Sequence, residues 1–78
     1  MTVKELLSVF DNSVNVNIYN EYKDEDSIID SITGATCSYV YDLLNTPQYA
    51  ELIHSEIDTV TLYASSYDDE PTLIIYLQ

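Results

Sequence analysis

Val14-Asn15-Val16-Asn17-Ile18-Tyr19 alternates apolar and polar side chains at every step. A period of two is the mark of a strand with one buried face. Val14, Val16 and Ile18 are expected to face a core, and Asn15, Asn17 and Tyr19 to face away. A second alternation runs from Asp58 to Ala64, with Val60, Leu62 and Ala64 on one side and Thr59, Thr61 and Tyr63 on the other. A third, Thr72 to Leu77, puts Leu73, Ile75 and Leu77 inward. The last two are close enough in sequence to form a hairpin around the polar turn 65–71.

Helical periods lie between these strands. Thr2 caps a helix, with Glu5 at the capping-box spacing and Val3, Leu6, Leu7 and Phe10 on one face. Asp11-Asn12-Ser13 ends it. Ser38 is expected to cap a second helix, in which Val40, Leu43 and Leu44 share a face. Thr46 and Pro47 restart the helix, and Tyr49, Leu52 and Ile53 carry the apolar stripe to His54. Residues 20–26 read as a charged loop, and Gly34, the single glycine, marks a turn. The segment Ser27 to Thr33 is ambiguous, because Ile28 and Ile32 are four apart, a spacing that suits a helix and a strand equally. The expectation is a strand paired back onto the first. The sum is an α+β domain over residues 1–78, α-β-β-α-α-β-β. It has a small antiparallel sheet of three to four strands and helices packed on one face.

Length and charge bound the rest. Seventy-eight residues make one domain with a small core, worth a net stability of about 3–5 kcal/mol. Fourteen acidic residues against two lysines and no arginine give a formal charge of −12. Such a charge repels itself in the compact state, so the chain either works in high salt or meets a positive partner. Binding nucleic acid requires lysine and arginine to displace counterions, so direct binding to nucleic acid is excluded, and an anionic membrane surface is disfavoured on the same ground. One cysteine, Cys37, leaves no internal disulfide and fits a reducing cytoplasm. No signal peptide or stretch of membrane-spanning length is visible.

The residues for catalysis are sparse. With one histidine there is no two-histidine metal site, and one glycine leaves no glycine-rich phosphate loop. Cys37 reads as a small buried side chain with no basic neighbour to activate it, and His54 as the end of a helix, where its partial charge suits the dipole. Asp24-Glu25-Asp26 and Asp68-Asp69-Glu70 do not follow the calcium-loop pattern. The expectation is a protein that is not an enzyme and has no cofactor or metal.

The charge is unevenly placed. Ten of the twelve net negative charges sit in three stretches, 21–30, 51–58 and 68–70. If the loops 21–26 and 68–70 meet at one sheet edge they form a single negative patch; if they do not, the charge is a diffuse solubilising surface. Tyrosine is the second unusual feature. Tyr19, Tyr63 and Tyr76 fall on the outer sheet face, and Tyr22 and Tyr67 fall within the acidic loops. Tyrosine is enriched at interfaces, where it offers large area with a polar tip. The candidate partner-binding residues are therefore Glu21, Tyr22, Asp24, Glu25, Asp26, Tyr67, Asp68, Asp69 and Glu70.

The opening Thr2-Val3-Lys4-Glu5-Leu6-Leu7 and the terminal Leu73-Ile74-Ile75-Tyr76-Leu77 resemble those of small acidic proteins encoded by phages and mobile elements of Gram-positive bacteria. That type includes anti-CRISPR and anti-restriction proteins that imitate DNA. The resemblance is one of type and carries no site residue over. It implies an inhibitor of a host defence enzyme, acting by acidic DNA mimicry in the basic groove of a nucleic-acid-binding protein such as a CRISPR effector nuclease. The alternative is a protein–protein interaction module or homodimer that uses the tyrosine-bearing sheet face.

Overall fold

The computed structural model describes residues 1–21, 26–35, 37–63 and 71–78. The fold is α+β: a four-stranded mixed sheet with several short helices. Its strands are β1 (Asn15–Tyr19), β2 (Ser38–Tyr39), β3 (Ile57–Tyr63) and β4 (Thr72–Leu77), in the spatial order β2-β1-β4-β3. The helices are α1 (Val3–Leu7), α2 (Ile28–Thr33) and α3 (Val40–Asn45), followed by 3-10 turns at Pro47–Tyr49 and Leu52–His54.

α1 starts where the capping box puts it. Thr2 Oγ1 accepts the Glu5 N–H at 3.2 Å, and Glu5 Oε1 accepts the Thr2 N–H at 3.0 Å. Those bonds hold the Glu5 carboxyl below its ordinary range, the backbone bond from Thr2 first. Val3 and Leu7 are fully buried, as their spacing predicts.

Ser27 to Thr33 is a helix and not the expected strand. Ser27 Oγ accepts the Asp30 N–H at 3.0 Å, and Gly34 ends the helix at φ 79°, its N–H bonding to Asp30 O at 2.8 Å. A left-handed residue at a helix end is where glycine costs least. The helix buries Ile29, whereas Ile32 stays 37% exposed.

The place beside β1 goes instead to β2, a two-residue strand that pairs antiparallel through Asn15 with Tyr39 and Val16 with Ser38. Ser38 is therefore not the cap of α3. Tyr39 holds that position without a side-chain bond. The Ser38 hydroxyl bonds the buried Tyr49 hydroxyl at 2.9 Å.

On its other side β1 pairs with β4, and that pairing is parallel, from Asn15–Thr72 to Tyr19–Tyr76. The sheet is mixed for this reason. A parallel neighbour needs a long crossover, and α2, α3 and the two 3-10 turns between β1 and β3 supply chain for it. β3 and β4 pair antiparallel, as expected of the last two strands.

Residues paired across strands share a face. Val16, Ile18, Leu73 and Ile75 form the buried face, and with Val3, Leu7, Ile29, Val40, Leu43, Tyr49, Leu52 and Ile53 they make the core. Val60 lies opposite Ile75 and Leu62 opposite Leu73, on the expected helix side. They are nevertheless 38% and 62% exposed, because β3 is the edge strand and lies beyond the helix cover. Ala64 lies outside the described residues. A β-bulge at Asp58 sets two residues of β3 against one of β4. That extra residue brings Ile57 onto the same face as Val60 and Leu62, although their spacing alone would oppose them.

Candidate partner-binding surface

Nine of the fourteen acidic residues are described, and all nine are exposed. Of the candidate partner-binding residues, Glu21 and Asp26 are among them. Tyr22, Asp24, Glu25, Tyr67, Asp68, Asp69 and Glu70 lie outside the described residues.

Sheet register decides which charges meet. Tyr19, Tyr76 and Thr59 form one cross-strand row, and Asn15, Thr72 and Tyr63 form another four residues away, about 13 Å along the strands. Glu21 follows the first row on β1. Asp58 and Glu56 precede it on β3, two strands or about 10 Å across. The stretches 21–30 and 51–58 thus share one end of the sheet at these residues. Tyr63 and Pro71, which flank the 64–70 connection, belong to the opposite end.

The ends differ in make-up. At the Glu21 end, Glu56 Oε2 binds the Met1 ammonium at 3.0 Å, with both groups more than half exposed. In high dielectric such a pair contributes little. The end with Pro71 carries a groove of about 530 Å³, lined by Asp11, Tyr39, Tyr41, Asp42 and Pro71, among others. Asp11 Oδ1 accepts the Ser13 N–H at 3.0 Å and the Ser13 hydroxyl at 2.9 Å, which holds its carboxyl below the ordinary range. The Tyr41 N–H donates to Asn12 O at 3.2 Å and so fixes the start of α3 against this turn.

The outer sheet face is the second candidate surface. Asn15, Asn17, Tyr19, Thr59, Thr61, Tyr63, Thr72 and Tyr76 occupy it, as their alternation predicts. Tyr19 and Tyr76 stack there, with ring centroids 5.8 Å apart and planes at 29°. Tyr63 is 57% and Tyr39 44% exposed.

Cys37 and His54 lie on different parts of the fold. Cys37 is half-buried with Sγ 3.8 Å from Asn15 Oδ1, whereas His54 is exposed at the end of the second 3-10 turn, beside α1. Among the described residues no three His, Cys, Asp or Glu side chains gather as a metal site, and no helix is long and apolar enough to cross a membrane.

Sequence reasoning did not place Glu56 and Asp58 among the site residues. The charge count of 51–58 was the available signal. Their neighbourhood with Glu21 follows from β1 lying beside β4, which no local pattern encodes. No family model, curated protein or solved structure matches this chain.

Proposed function

We propose that the protein inhibits a nucleic-acid-binding defence enzyme by filling its basic groove with an acidic surface. The observation that carries this reading is the charge of −12, with Glu21, Asp26, Glu56 and Asp58 all exposed and Glu21 at the same end of the sheet as Glu56 and Asp58. A surface of this sign attracts a lysine- and arginine-lined channel and makes the association steep in salt. A CRISPR effector nuclease is the target class, since such channels hold a nucleic-acid duplex by its backbone.

The test is capture from a bacterial lysate at about 0.1 M and about 0.5 M salt, with and without added DNA, read by mass spectrometry. The expected prey is a basic nuclease or other nucleic-acid-binding protein that high salt or DNA releases. The triple variant Glu21→Lys, Asp26→Lys, Asp58→Lys is expected to lose that prey while keeping its circular dichroism spectrum. Capture indifferent to salt, to DNA and to the triple variant would overturn the reading.

One observation favours a second reading, an interaction module. The stacked Tyr19–Tyr76 pair and Tyr63 stand on a sheet face that carries no helix among the described residues. Binding through that face would survive about 0.5 M salt, and Tyr63→Ala would weaken it.

A further inference from the structure

We infer that β3 pairs with the β3 of a second copy of this chain, antiparallel and centred on Thr61. This inference is independent of the mimicry reading. β3 ends the sheet, with β4 on its inner side. Among the described residues its outer side is occupied at its start, where the Ile57 N–H donates to Met1 O at 2.9 Å and Thr2 forms a bridge with Glu56. From Thr59 to Tyr63 no strand among the described residues takes that outer side.

The open stretch is Thr59-Val60-Thr61-Leu62-Tyr63, and all five residues are exposed. Edge strands are ordinarily guarded by lysine, proline, a bulge or an inward charge. These five carry no charge, no proline and no glycine, and the bulge at Asp58 falls before them. An unguarded edge with exposed Val60 and Leu62 is a template for another strand.

Three arguments select a second copy. β3 runs from Ile57 to Tyr63 in the described residues and the Met1 contact occupies its edge at Ile57, so Thr61 is the middle of the described open stretch Thr59–Tyr63. Pairing about that centre is self-complementary: Val60 meets Leu62 of the second copy on the helix side, and Thr59 meets Tyr63 on the outer side. Apolar and Thr–Tyr cross-strand pairs of this kind are favourable, and the contact closes on itself by two-fold symmetry. The charges also sort correctly. Asp58 and its counterpart fall at opposite ends of the new ladder, about 20 Å apart, well beyond the roughly 8 Å screening length at physiological salt. A parallel, in-register pair would set them side by side.

Magnitudes make the dimer weak. Five residues a side are fewer than the 20–30 or so of a standard stable interface, and each copy brings a charge of −12. Salt that screens this repulsion therefore strengthens the dimer, opposite in sign to a complex with a basic partner.

The experiment is sedimentation equilibrium of the whole chain from about 10 µM to about 1 mM, at about 0.05 M and about 0.5 M NaCl. The expected result is a monomer–dimer equilibrium whose association constant rises at least about tenfold with salt. Thr61→Lys, which places like charges opposite each other, should leave a folded monomer. Leu62→Lys is the second variant should the first lose its fold. Register is read in a Cys37→Ser background. Thr61→Cys should cross-link on mild oxidation, since a directly opposed pair has the Cα separation that a disulfide needs. Thr59→Cys should not, because the two copies of residue 59 stand about 13 Å apart. A monomer under every condition would overturn the inference. So would a dimer that salt weakens, one that survives both lysine variants, or equal cross-linking of the two cysteine variants.

Discussion

Tyr49 shows how one side chain joins parts of the fold that are distant in sequence. Its ring is 2% exposed, and its hydroxyl lies 2.9 Å from both Thr33 Oγ1 and Ser38 Oγ. The end of α2, β2 and the first 3-10 turn meet at this oxygen. Tyr49→Phe keeps the packing and takes the shared partner from the half-buried Ser38 hydroxyl and from the Thr33 hydroxyl, which is exposed and keeps its bond to Ile29 O at 3.1 Å. The expected loss is about 1–2 kcal/mol, seen as a lower urea midpoint with an unchanged slope. The burial of Tyr49 was legible, because it lies on the apolar stripe with Leu52 and Ile53. Its partners were not. They stand 16 and 11 residues away, and their approach depends on where α2 and β2 come to lie.

At the scale of the element, α2 and β3 teach opposite lessons. The Ile28–Ile32 spacing could not separate helix from strand, but the frame around it could. Ser27 three residues before Asp30 is a helix-start pattern, and Gly34 lies where a helix would end. Weight given to the caps over the period would have found α2. Gly34→Ala measures that frame. A Cβ there would meet nothing within 4 Å, so its cost is backbone strain alone, about 1–2 kcal/mol on thermal or denaturant unfolding. In β3, alternation put Val60 and Leu62 on one face, as the register bears out, but did not carry their exposure of 38% and 62%. A period of two reports which side chains share a face, whereas strand order decides whether that face is covered. The bulge at Asp58 was equally hidden, because it is a relation between β3 and β4.

For the molecule as a whole, the charge governs stability as well as binding. Nine exposed carboxylate side chains on a chain of net charge −12 repel one another, and salt screens that repulsion. At about 10 µM protein, raising NaCl from about 0.02 M to about 0.5 M should add about 1 kcal/mol, a rise of roughly 4–8 °C in the unfolding midpoint. A flat or falling midpoint would show that the repulsion has no weight in the folded state. The strength of the acidic surface was plain from composition. Its layout was not, since the meeting of Glu21 with Glu56 and Asp58 depends on a strand order that local patterns do not carry.

That strand order has a further consequence, for the order of events during synthesis. β4 is the last strand along the chain, yet it sits between β1 and β3 and is the strand through which they connect. A nascent chain that ends before Thr72 holds β1 and β3 with no strand to join them, and half of the buried sheet face waits for Leu73 and Ile75. Folding of this sheet is therefore tied to the emergence of residues 72–77 from the ribosome, and a ribosome stalled with them still in its tunnel would present a chain open to proteases along most of its length.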